Sequence, residues 1–228
     1  MNFYFLLEDE KSFLKVLPSW LEYMDFRFKR VADIKDIQEN NYVLQSGQGV
    51  TQLVTKALFD TIDTILLNPG KIDELVVILD AEEWEVDSRE QQVMEQINKH
   101  YEMDKLNFDI KVFVCNHCFE TWLLGCCGLY PKEEIAQTSD FYSYYKHYNV
   151  EECDPEEMKP PQENSDTIAK YHFHYLHELL RHKRIRYSKN NPKNVATKKY
   201  FEGIVERINT TEHLISFKKF YNFVLDIE

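Results

Sequence analysis

The chain has 228 residues, 43% hydrophobic and 14% aromatic, enough for one domain of ordinary size with a substantial core and too apolar for overall disorder. A net charge of -12 argues against a protein that coats nucleic acid by bulk charge, although eight Lys or Arg and no acid fall between Arg181 and Lys199. No apolar run approaches the roughly 20 residues that span a bilayer, and the start, Met1 into NFYFLLEDE, shows neither a basic region nor a small-residue cleavage site, so a cytoplasmic protein is expected.

In chain order, FYFLL, Phe3 to Leu7, reads as a buried strand. Phe13, Leu14, Leu17, Trp20 and Leu21 then fall at helical spacing, with Pro18 placed to break or kink that helix. A polar stretch of no clear pattern leads to a second strand in NNYVLQSGQG. VTQLVTKALFDTIDTILLN, from Val50, predicts an amphipathic helix stopped by Asn68-Pro69-Gly70. A third strand covers Val76 to Leu79, a third helix SREQQVMEQINKHYEM, a fourth strand FDIKVFVCN, and an apolar helix starts near Phe119. Strands alternating with helices predict an α/β fold: a Rossmann-like parallel sheet flanked by helices over residues 1-130. Residues 131-166, aromatic and then acidic with prolines, read as a linker. Residues 167-228 read as a helical, basic extension packing on the sheet, with a first helix running through IAKYHFHYLHELLRHKRIRY to Tyr187.

The sequence ELVVILDAEEWEVD drives a buried strand into Asp80, Glu82, Glu83, Glu85 and Asp87. In a parallel sheet functional groups gather beyond the carboxyl ends of the strands, where Glu8 and Asp80 can share a crevice. Glu82, two positions past Asp80 on an extended chain, is expected to point the same way. Carboxylates brought together repel unless cations neutralise them, and hard oxygen ligands select Mg2+ or Mn2+, which activate water and polarise phosphoryl oxygens. The other reading is a solvated loop whose acids cap the next helix, the role expected of Glu85, Asp87 and Glu90.

FYFLLEDEKSFLKVL, with its strand ending in Glu8, and ELVVILDAEE, with Asp80 and Glu82, resemble the two motifs of the Toprim domain. FVCNHCFETWLLG, Phe113 to Gly125, is similar to a segment of RloB-like Toprim proteins of bacterial phage defence, with His117 where that pattern has proline. YSKNNPKN and SFKKFYNFV share the flavour of these proteins and of the nuclease half of overcoming-lysogenization-defect proteins. The resemblance covers the first 130 residues by motif order. It implies a metal-dependent nuclease cutting DNA or RNA, tRNA included, with Mg2+ or Mn2+ as cofactor. It also implies a role in phage defence beside a separate ABC- or SMC-like ATPase. On that reading Asp80 is the main metal ligand, Glu82 a second, and Glu8 a ligand or the general base. Glu120 either completes the cluster or faces the positive end of its helix. Two departures stand out: Asp9 replaces the usual glycine after the first Glu, and Glu82 replaces an Asp.

The basic stretch is the candidate nucleic-acid contact, with Arg184, Arg186, Lys189 and Lys193 on phosphates and Tyr187 available for stacking. Its alternative is a solvated basic face balancing an acidic body. Cys115, Cys118, Cys126 and Cys127 invite a zinc reading, but the adjacent pair within an apolar helix favours packing thiols. His174 and His177 share a helix face and His172 does not, which disfavours a histidine metal site. SGQG lacks the lysine of a P-loop, and reads as a tight turn whose amides face the crevice or a phosphate. Two competing functions remain beside the nuclease: a non-catalytic scaffolding or binding subunit, and a small-molecule phosphohydrolase with Asp80 as nucleophile.

Overall fold

The computed structural model describes residues 1-49 and 52-227. Its frame is an all-parallel sheet of five strands in the order β2-β3-β1-β4-β5. The strands are β1 (Phe3–Leu7), β2 (Lys29–Arg30), β3 (Asn41–Ser46), β4 (Glu74–Asp80) and β5 (Asp109–Cys115). The helices are α1 (Phe13–Tyr23), α2 (Leu58–Leu66), α3 (Val86–His100), α4 (Phe119–Leu124), α5 (Tyr142–His147), α6 (Ile168–His182), α7 (Lys198–Thr210) and α8 (Ile215–Leu225). This is the expected Rossmann-like α/β architecture.

The central strands are apolar without interruption because both of their faces are covered. Phe3, Phe5, Leu7, Val76, Ile78 and Phe113 point to one side; Tyr4, Leu6, Leu75, Val77, Leu79 and Val112 point to the other. The second face receives Ile62 and Ile65 of α2 with Val93 and Ile97 of α3. The first face receives α1 and α4, and the helices of the last third join the same core. Phe13 stacks on Phe119 at 4.4 Å between ring centroids, and Trp20 and Trp122, both fully buried, meet Phe217 edge-on. Phe220 and Phe223 of α8 pack on Phe113 of β5.

Four expectations change. A two-residue strand, β2, forms in the polar stretch, where it is too short to carry a periodic signal. α1 continues through Pro18. Residues 131-166 are packed instead of forming a free linker, with Phe141, Val150 and Met158 buried and Arg207, itself buried, donating to the carbonyls of Val150 and Glu151. α6 ends at His182, five residues before Tyr187, because Arg184 turns left-handed at φ 58. The helix expected from Val50 opens among the described residues as a π-helical turn, Leu53–Ala57, that runs into α2; Val50 and Thr51 lie outside the described residues.

Gly125, just past α4, lies where an added Cβ would fall on the Leu214 Cδ1. Leu214 is fully buried and left-handed at φ 55, so it has little room to yield. Gly125→Ala should therefore overpack this junction and lower stability by about 1–3 kcal/mol. Urea titration should show an earlier midpoint with an unchanged slope.

Candidate functional site

Glu8 follows β1 directly. Its N–H donates to the Ile78 carbonyl at 2.9 Å, extending the β1–β4 ladder by one residue, and its Oε2 accepts the Asp80 N–H at 2.8 Å. The chain leaves β1 for β2 and β3 on one side of the sheet and returns to β4 on the other, which makes the carboxyl ends of β1 and β4 a topological switch point. There Glu8, Asp80, Glu120, Asp9, Lys11 and Lys189 line a crevice of about 270 Å³, with Gln48 and Gly49 at its rim.

Glu120 enters from the first turn of α4 and is only 1% exposed. Tyr187 donates its hydroxyl to Glu120 Oε1 at 3.0 Å, and the Lys189 ammonium lies 3.3 Å from the same oxygen. Lys189 sits in a tight turn in which the Asn191 N–H donates to the Ser188 carbonyl at 2.9 Å, and it also passes 5.5 Å from the centre of the Phe173 ring. Burial, followed by the Glu8 and Glu120 carboxylates, pushes Asp80 well above the usual carboxylate range, with Lys189 opposing. Burial works to lower Lys189, but Glu120 and Asp80 outweigh it and raise the ammonium above its ordinary value. Asp80 thus stands among the Glu8 and Glu120 carboxylates, with Lys189 as the cation that opposes them.

Glu8, Asp80, Glu120 and Lys189 line this one crevice. Glu82 does not. The chain turns left-handed at Glu82, φ 54, so the extended alternation that would aim it beside Asp80 fails, and the side chain is exposed. Its backbone pairs instead with His117: the Glu82 N–H donates to the His117 carbonyl at 2.7 Å, and His117 Nδ1 lies 3.0 Å from the Glu82 carbonyl. His117 has φ 62, a conformation that proline cannot adopt. The other acids of the run have separate duties. Glu83 accepts the Ile168 N–H at the start of α6, and Glu90 pairs with Lys219. Asp9 is a capping residue: it accepts the Lys11, Ser12 and Phe13 amides and the Ser12 hydroxyl, and those bonds outweigh burial to hold it below the usual carboxylate value. In the SGQG turn the Gly49 N–H faces the Glu8 backbone carbonyl at 3.0 Å.

No family model, curated protein or solved structure matches the chain. The resemblance to Toprim nucleases accordingly rests on the residues quoted above.

The donor set bears on a metal as follows. Among the described residues no group of three or more His, Cys, Asp or Glu is placed to hold an ion. Glu82 is turned away and Glu120 is paired with Tyr187 and Lys189; of the acids expected at the site, Glu8, whose Oε2 takes the Asp80 N–H, and Asp80 are those a cation would meet. That set does not make an all-protein cage, but it fits the way Mg2+ binds: one or two carboxylates, with water and substrate phosphate completing the shell. The upward shift of Asp80 marks the negative charge that such a cation relieves. The thiols are not part of it. Burial, then the nearby carboxylates, raises Cys115 and Cys118 well above the ordinary thiol value, so both are neutral packing groups.

The histidines serve packing and surface pairs. His172 is fully buried, accepts the Thr121 hydroxyl at Nδ1 and donates from Nε2 to the Met158 carbonyl, and burial lowers its pKa to about 3. His174 pairs with Asp166 and His177 with Glu178. Arg184, Arg186 and Lys193 are exposed and do not line the crevice: Lys193 lines one neighbouring recess and the two arginines another. Tyr187, expected to stack on bases, is 7% exposed and spent on Glu120; its place in a basic run gave no hint of a buried partner.

The segment carrying Glu120 is braced by Glu156. Its Oε1 accepts the N–H and hydroxyl of Ser216, and that hydroxyl accepts Trp122 Nε1 at 2.7 Å. Burial, partly offset by Ser216, raises Glu156 from 4.5 to about 6. A carboxyl whose folded pKa is raised stabilises most when protonated, so its contribution is complete below pH 4.5 and is lost as pH rises through about 6. The loss amounts to about 2 kcal/mol. Glu156→Gln, which keeps the acceptor, should remove this loss, and unfolding free energies measured from pH 4.5 to 7.5 should show wild type and variant diverging through that window.

Proposed function

We propose that the chain is a metal-dependent phosphodiesterase acting on nucleic acid, DNA or RNA. The observation that carries this reading is the meeting of Glu8, Asp80 and Lys189 in one crevice at the switch point of the sheet. Asp80, with water and substrate phosphate, would hold Mg2+ or Mn2+, which when bound polarises a phosphoryl oxygen and stabilises the leaving oxygen. The protein's own groups do the rest. Glu8, oriented by the Asp80 N–H at Oε2, takes the proton of the attacking water. Lys189 sets its ammonium against the charge gathering on the phosphate, and Glu120 with Tyr187 fixes where that ammonium stands. The resemblance extends the proposal to a phage-defence effector restrained by a separate ABC- or SMC-like ATPase.

One observation favours a non-catalytic binding subunit: Lys189 already neutralises part of the crevice with the protein's own cation, and Glu82 takes no share in it. Cleavage of plasmid DNA and of total tRNA with Mg2+ or Mn2+ separates the two. The nuclease reading expects metal-dependent cutting that falls about 10²- to 10⁴-fold in Glu8→Gln and further in Asp80→Ala. Absence of cutting, together with no Mn2+ binding by calorimetry, would sink it in favour of the binding subunit.

A further inference from the structure

Residues on α1 that the basic stretch does not include continue the crevice outward. Lys11 lines the crevice itself, and Lys15, Ser19 and Tyr23 follow at intervals of four, so they share one face of α1. The opposite wall is the loop that leaves Lys189. Asn190, Asn191, Lys193 and Thr197 close a groove of about 590 Å³ against that helix face. From Lys15 to Tyr23 the helix rises about 12 Å.

The chemistry of this groove differs from that of the rest of the molecule. The chain carries a net charge of -12, yet none of the described residues that line the groove is acidic. Lys15 and Lys193 are exposed. Lys15 donates one of its three ammonium protons to the Asn190 carbonyl at 2.8 Å, which ties helix to loop and leaves two for a ligand. The asparagine amides add donors and acceptors, and Tyr23, half-buried with its hydroxyl on the Ala196 carbonyl, offers a ring edge at the outer end. Arg184 and Arg186 line a second recess on the other side of the Lys189 turn, with His177 and Arg181, and it too has no acid among its described lining.

We infer that the groove between α1 and the 190-197 loop seats a short stretch of single-stranded nucleic acid flanking the scissile phosphodiester, with Lys11, Lys15 and Lys193 on its phosphates. This rests on the proposed phosphodiesterase reading and names the form of its substrate. A duplex, whose bases face inward, would present phosphates to the lysines and asparagine amides but no unstacked base to Tyr23; a single strand offers both.

The test is fluorescence anisotropy of a short labelled oligothymidylate and oligouridylate in EDTA, where binding is read without hydrolysis. Lys15→Gln with Lys193→Gln keeps the stems and a donor for Asn190 while removing both charges. Affinity should fall about tenfold, and the log–log salt slope should shrink by about 1.4. Lys99→Gln with Lys105→Gln, exposed at the opposite end of the sheet, should change neither. Equal losses in the two pairs, no loss in the groove pair, no binding by wild type, or displacement of the strand by duplex at equal concentration would each overturn the inference. The two readings fail separately. Cutting with metal but unchanged binding in the groove variant leaves the nuclease and removes the groove; groove-dependent binding with neither cutting nor Mn2+ binding does the reverse.

Discussion

A carboxylate as far from water as Glu120, 1% exposed, needs hydrogen-bonding and charged partners of its own. Tyr187 and Lys189 meet it. Much of the carboxyl edge of the sheet follows from that contact. It draws the turn after α6 into the crevice, fixes the start of the loop that walls the adjoining groove, and sets a cation beside Asp80. The last third of the chain is in this sense part of the site, joined to it through the same core that seats Phe217 and Phe220 on Trp122.

The arrangement is not one that stability alone would choose. Burial, then the Glu8 and Glu120 carboxylates, raise the cost of ionising Asp80, and Lys189 offsets only part of it. Other acids have partners of their own: Asp9 the amides opening α1, Glu83 the amide of Ile168, Glu90 the ammonium of Lys219. Carboxylates gathered around the buried Asp80 are what support reading the crevice as a working site. Local rules are broken where function demands it.

How much of this was legible in the sequence depended on the range of the interaction. β1 and β4 announce themselves as unbroken apolar runs, and the switch-point rule then places Glu8 and Asp80 in one crevice without further information. Glu82 was misread because the rule of alternation holds only while the chain stays extended, and a left-handed turn at Glu82, paired to His117, leaves no periodic trace. Residues 131-166 looked like a linker because their aromatics follow no regular spacing, although Phe141 and Met158 are core. Lys189 stood out by charge, but its pairing with Glu120 joins distant segments and has no local signature. The groove face of α1 was hidden for a different reason: Lys15 and Ser19 read as the ordinary polar side of an amphipathic helix until the loop is seen opposite them.

The dependence of Glu120 on Tyr187 and Lys189 has a consequence for biosynthesis. As the chain leaves the ribosome, the strands that present Glu8 and Asp80 emerge first and α4 soon after, while the turn that answers Glu120 arrives only when most of the polypeptide has been made. Until then the sheet edge holds an unanswered acid that resists being buried. The crevice therefore closes late, and a prematurely terminated fragment, however well its sheet is formed, lacks both the lysine in the crevice and one wall of the groove beside it.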